Sequence, residues 1–136
     1  MKKLLIIIVV VTAIALCLAG CGKKYSVSTD IDYCSEDKDS ANMPWLKFND
    51  NGTYWLQDNI NVSRLLSGTY EIDGNIVKLT GEKGLFYHYL EFKIIDDNTL
   101  EFIAKNSTEF SVTSLENVTK VLEDGTRLSV ANPLTE

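Results

Sequence analysis

Few side chains in this 136-residue chain carry reactive chemistry: three cysteines and one histidine, set among nineteen carboxylates. A hydroxyl or thiol nucleophile needs a base beside it, and His88 is the sole imidazole. Serines are plentiful, yet none sits in a Gly-x-Ser-x-Gly elbow. There is no Cys-x-x-Cys pair and no Cys/His cluster, so a zinc or dithiol redox motif is missing. Asp30, Asp32, Asp96 and Asp97 do not follow the Asp/Asn-Gly-Glu spacing of a calcium loop and read as turn residues. A glycosidase needs two carboxylates facing each other across a cleft. The acids here fall mostly on turns and outer faces. The chain reads as non-enzymatic, with no metal site and no cofactor implied.

The thiol in a distinctive setting is Cys21, in Leu18-Ala19-Gly20-Cys21. Lys2 and Lys3 precede an apolar run over residues 4–18, and small residues follow it. A basic start, an apolar middle and small residues before a cut make a secretory signal peptide. The run is shorter than the ~20 residues that cross a bilayer. With Cys directly after the small residues, the segment resembles a bacterial lipoprotein signal, and all four positions of its lipobox match. The resemblance implies a diacylglycerol on the Cys21 thiol and cleavage between Gly20 and Cys21. It also implies residence at the extracytoplasmic face of the cell membrane. Each buried CH₂ contributes ~0.8 kcal/mol, and one acyl chain alone holds weakly, so two chains make a lasting anchor.

Three segments follow from this reading. Residues 1–20 are the signal, 21–30 the lipidated Cys and a polar tether, and 31–136 a single β domain. Cys17 leaves with the signal, and Cys34 is left without an intramolecular partner. Glu36 and Asp37 beside it raise a thiol pKa rather than lower it, which favours an inert Cys34. Removing Lys2 and Lys3 moves the formal charge from −6 to −8, with eleven Lys and Arg against nineteen Asp and Glu. That balance argues against nucleic acid, which needs clustered basic residues. It also disfavours the domain lying flat on an anionic membrane.

The elements that would carry any site are strands. Three hairpins register from pattern alone. In the first, Asp50-Asn51-Gly52 turns the chain with Gly52 at positive φ, opposing Phe48 to Tyr54, Leu46 to Leu56 and Lys47 to Trp55. In the second, Gly74-Asn75 makes a type II′ turn that opposes Ile72 to Val77, Tyr70 to Leu79 and Glu71 to Lys78. In the third, a loop at Asp96-Asp97-Asn98, with Asn98 left-handed, opposes Ile94 to Leu100, Phe92 to Phe102 and Lys93 to Glu101. Glu109-Phe110-Ser111-Val112 reads as a further strand, and residues 121–128 as a short closing hairpin. Residues 59–66 fit either a short helix or an irregular crossover. Successive short strands with turn signals predict an all-β fold. The expected form is a small antiparallel meander that closes, completely or incompletely, into an up-and-down barrel.

The mature part also resembles small exported lipoproteins of low-GC Gram-positive bacteria. The shared cues are Phe48-Asn49-Asp50-Asn51-Gly52-Thr53-Tyr54, Gly68-Thr69-Tyr70-Glu71-Ile72 and Ile76-Val77-Lys78-Leu79. The resemblance implies a lipocalin-like barrel and supplies no catalytic residues. His88 shares the parity of Leu90, Phe92 and Ile94, so it points inward, either as a satisfied core residue or as a ligand contact. Trp45, Trp55, Tyr87 and Tyr89 fall on the opposite parity and are candidates for an outer partner-binding face, unless a second layer covers them. The expected partners are the membrane, through Cys21, and a small ligand or an envelope protein. The leading reading is ligand or protein binding at the cell surface. The alternative is a module that intercepts a peptide or toxin as an immunity protein, or an envelope partner, through the aromatic face. An open apolar interior favours a small ligand, and a filled interior with an exposed Trp/Tyr patch favours a protein.

Overall fold

The computed structural model of the protein describes residues 22–36, 43–62, 65–81 and 87–131. Gly20, Cys21 and the rest of the leader lie outside these residues, as do Leu85 and Phe86 of the third hairpin. The described strands are β1 Asp32–Ser35, β2 Trp45–Phe48, β3 Thr53–Gln57, β4 Leu66–Asp73, β5 Ile76–Gly81, β6 Tyr89–Asp96 and β7 Thr99–Phe102. They continue with β8 Ser111–Thr113, β9 Thr119–Val121 and β10 Arg127–Val130. Eight of them close an antiparallel barrel in the order β1-β10-β7-β6-β5-β4-β3-β2, while β8 and β9 pair as a separate two-stranded sheet. Closure leaves no barrel strand with an open edge.

The registers follow the side-chain alternation. Phe48 opposes Tyr54 and Leu46 opposes Leu56. Ile72 opposes Val77, and Glu71 opposes Lys78. Phe92 opposes Phe102, and Ile94 opposes Leu100. A slip of one residue anywhere would turn these apolar pairs outward, so burial pins the register. Gly52 and Gly74 both sit at positive φ, +80° and +60°, where a side chain would be strained. The third turn differs from the expectation. Asp96 pairs with Thr99, so the turn has two residues, and the register shifts between Ile94 and Asp96. Asn98 is not left-handed, because its N–H donates to Asp96 Oδ1 at 2.9 Å, and this Asx turn closes the chain with ordinary φ. The extra residue is absorbed as a β-bulge within β6 instead.

One other expectation is corrected, and one open alternative is decided. Residues 121–128 do not form a hairpin: Val121 ends β9 in the small sheet, whereas Arg127–Val130 is β10, which closes the barrel between β1 and β7. The turn at Gly125 is real, with φ +80°, but it carries the chain from one sheet to the other. Among the described residues of 59–66 there is no helix. Asn59 makes an isolated bridge to Thr113, and Leu66 opens β4.

The barrel interior is filled. Tyr33, Leu46, Phe48, Tyr54, Leu56, Val77, Leu79, Leu90, Phe92, Leu100 and Leu128 are all fully buried. An eight-stranded barrel is just wide enough for side chains to fill it. The aromatic rings meet edge-on or tilted, with Tyr33 and Phe48 centroids 5.6 Å apart and Phe92 and Phe102 5.3 Å apart. Each such side chain contributes ~1.5–3 kcal/mol by leaving water.

The two ends of the barrel are unlike. At one end, here the base, lie the three tight turns joining β2 to β3, β4 to β5 and β6 to β7. At the other, the top, lie the connections β1–β2, β3–β4, β5–β6 and the long excursion from β7 to β10 that includes β8 and β9.

Candidate functional site

Loops on a rigid scaffold carry most binding functions, which directs attention to the top. There β8 and β9 form a lid. Val112 of β8, and Phe110 and Leu122 that extend the pair, are buried. Leu122 N–H donates to the Phe110 carbonyl at 2.7 Å, extending the pairing beyond β9. Thr113 N–H donates to the Asp58 carbonyl at 2.8 Å, and Asn61 Nδ2 donates to Asn117 Oδ1 at 2.8 Å. The lid is thus tied to the β3–β4 connection. A second strap, the 3₁₀ turn Ala104–Asn106, follows β7 and folds back over β6.

His88 lies under the lid at 4 % exposure, inward as its parity requires. Its Nε2 is 2.5 Å from the Tyr54 hydroxyl, and its ring centroid is 6.0 Å from that of Phe110. Gly81 makes room for it. A Cβ at Gly81 would come within 2.5 Å of His88 Nδ1, so only glycine lets the imidazole rest on β5. The Tyr54–His88 pair is a buried polar contact inside the barrel, with Phe110 beside the imidazole.

A cavity of about 260 Å³ opens beside the lid, lined by Ser35, Met43, Val112, Val121, Leu122 and Thr126, with Lys120 and Glu123 also at its wall. It is smaller than the ~300–1,000 Å³ usual for drug-sized ligands. Cys34 is half-buried on β1. Burial, and then the Asp32 charge, push its thiol pKa up, so the nucleophilic thiolate is scarce at neutral pH. The sequence attributed that shift to Glu36 and Asp37, but burial is the larger cause. Among the described residues, no three of His, Cys, Asp and Glu gather as metal ligands.

The four outer aromatics do not form one patch. Trp45 and Trp55 are diagonal neighbours on β2 and β3, since Trp45 pairs with Gln57 and Lys47 with Trp55. Trp45 is half-buried and packs against the core, while Trp55 is exposed with the Lys47 ammonium 6.0 Å from its ring. Tyr87 is exposed, and Tyr89 opens β6 with its hydroxyl donating to Glu91 Oε1 at 2.6 Å. Two strands, β4 and β5, stand between these pairs.

Sequence reasoning missed Glu91. Its parity points outward, yet it is 8 % exposed. The 3₁₀ strap covers it: Asn106 Nδ2 donates to Glu91 Oε2 at 2.7 Å, and Ser107 Oγ donates to the Ile103 carbonyl at 2.7 Å while accepting from the Glu91 N–H at 2.9 Å. The Tyr89 hydroxyl bond, followed by the Asn106 bond, holds the Glu91 carboxyl below its usual range against the opposing effect of burial. The run Asn106-Ser107-Thr108 was the available signal, since three short polar side chains in a row can bond a neighbouring strand.

Exposed aliphatic side chains complete the top. Leu115 is 65 % exposed and Val121 51 %, and Val62, Leu65 and Val118 are also exposed there. Near the base, Ile72 is the one exposed large apolar side chain among the described residues.

The fold defines the class: a closed eight-stranded antiparallel barrel, consistent with the lipocalin-like plan. Comparison with protein-family models, with curated proteins and with solved structures finds no match for this chain.

Proposed function

We propose that this is an exported, non-enzymatic protein, held at the extracytoplasmic face of the cell membrane by a diacylglycerol on Cys21, that recognises a partner protein through the top of its barrel. The observation that carries the reading is the pairing of a filled interior with exposed Val62, Leu65, Leu115, Val118 and Val121 on the top connections. A carrier of a small apolar ligand needs interior volume, which Phe48, Tyr54, Phe92 and Phe102 occupy. Clustered exposed apolar side chains rimmed by polar ones mark contact surfaces. The lipobox sequence supports the location. Interception of a peptide or toxin is one form of this recognition.

The test is retention of a partner from the protein's own envelope by the lipidated protein and by a Leu115→Ser/Val118→Ser/Val121→Ser variant. The wild type retains one protein that the variant loses. Equal retention by both, or saturable uptake of an apolar fluorescent ligand into the barrel, contradicts the reading. The anchor has its own test: Cys21→Ala leaves an uncleaved precursor without incorporated fatty acid.

A further inference from the structure

The N-terminal segment determines how the barrel stands on the membrane, an inference that rests on the anchoring of Cys21 proposed above. Ser26 Oγ donates to Asp97 Oδ1 at 3.1 Å. Ser28 Oγ and the Tyr33 hydroxyl donate to the Asp97 carbonyl at 2.9 and 2.6 Å. Asp30 N–H donates to the Phe48 carbonyl at 2.8 Å. Asp97 lies in the β6–β7 turn and Phe48 ends β2, so all of these contacts are at the base. Tyr25, Val27 and Ile31 pack against the core, and Lys23 holds its ammonium 5.1 Å from the Tyr25 ring.

The free part of the tether is therefore short. Gly22, Lys23 and Lys24 alone separate Cys21 from Tyr25. Four Cα steps reach at most ~14 Å. The eight residues of β6 extend ~26 Å along the strand, or ~20 Å in height at the tilt of barrel strands. The tether is shorter than the barrel is tall, and it leaves from the base.

We propose that the barrel stands base-down on the bilayer, with the β8–β9 lid and its exposed Leu115, Val118 and Val121 turned away from the lipid. Two features support this pose. Exposed Asp50, Asp96 and Asp97 keep the base from sinking into hydrocarbon. Lys23 and Lys24 meet the headgroups at the point of attachment.

Energy transfer tests the pose. Asp50→Cys at the base and Glu116→Cys at the lid tip, each in a Cys34→Ser background, are labelled with the same short-range donor. The lipidated proteins are placed in phosphatidylcholine–phosphatidylglycerol vesicles carrying a headgroup acceptor. Transfer from position 50 exceeds transfer from position 116 several-fold. Equal or inverted transfer in protein that floats with the vesicles overturns the pose and leaves the anchor standing. Protein that does not float at all overturns the anchor and the pose together. Circular dichroism matching the wild type establishes that both labelled variants are folded.

Discussion

The base and the top of this barrel are built from different materials. The base is made of three tight turns, each closed by local chemistry, and of an N-terminal segment pinned to one of them through Asp97. The top is made of long connections that depend on one another, with the lid tied to Asp58 and Asn61 of a different connection. Exposed aliphatic side chains concentrate at the top. The contrast teaches that local turn closure and exposed apolar surface are separated along the barrel axis. The turns at the end nearest the proposed anchor are closed locally, and the far end carries the exposed aliphatic surface.

The largest test of that contrast is truncation at each end. Phe48→Ala near the base removes a fully buried ring, and the loss expected in urea denaturation is ~3–5 kcal/mol. Leu122→Ala under the lid stays near the lower limit of ~2 kcal/mol for such truncations, because a two-stranded sheet can settle onto the gap. Equal losses would show that lid and barrel form one undivided core.

Tyr33 sharpens the picture of the base. Its hydroxyl donates to the Asp97 carbonyl and accepts the Ser28 N–H at 2.8 Å. Tyr33→Phe is expected to cost ~1–2 kcal/mol. Burial, more than any other cause, pushes the Tyr33 pKa above its ordinary value. The folded state therefore holds that proton more tightly. The contribution is complete below the unfolded value of ~10 and is lost as pH rises from there through the folded pKa. In alkaline titration the wild type loses stability more steeply than Tyr33→Phe. Parallel curves would remove Tyr33 as the lock on the base.

Glu91 does the same for the strap at the top. With its pKa depressed, chiefly by the Tyr89 hydroxyl, its contribution is present above the unfolded value of ~4.3 and is lost as pH falls through the lower folded pKa. Glu91→Gln is expected to cost about 1 kcal/mol at neutral pH and to flatten the acid limb of the stability curve. An unchanged acid limb would mean that the strap is held by its bonds other than those to the Glu91 carboxylate. Site by site, the smallest stability effects belong to Leu115→Ser, Val118→Ser and Val121→Ser, each within ~0.5 kcal/mol of the wild type, since surface changes away from caps and cores do little. A large loss would move these side chains from the proposed contact surface into the fold.

Legibility in the sequence follows the same division. Gly52 and Gly74 announce two base turns because only glycine is unstrained at their φ, and the apolar pairs Phe48–Tyr54, Ile72–Val77 and Phe92–Phe102 admit one register. His88 inside the barrel follows from parity alone. The third turn was misread at Asn98, because an Asx bond and a bulge can substitute for a left-handed residue without changing the pairs on either side. At the top, Val121 and Leu128 look like two arms of a hairpin around Gly125, yet Val121 pairs back with Ser111 of β8 and Leu128 pairs with the distant β1 and β7. Glu91 reads as solvent-facing because alternation describes a bare barrel and carries no information about a strap laid over it. The four aromatics of the outer parity were readable as outward, but their division into two pairs depends on how many strands lie between β3 and β6.

The most direct test of the division between an anchored base and a recognising top is site-specific photo-cross-linking in the protein's own membranes. A photoreactive side chain is placed at Leu115 or Val118 on the lid, or at Asp50 or Asp73 on the base turns, in the lipidated protein. The account predicts a discrete protein adduct from the two lid positions and none from the two base positions. A protein adduct from the base positions with none from the lid would contradict it.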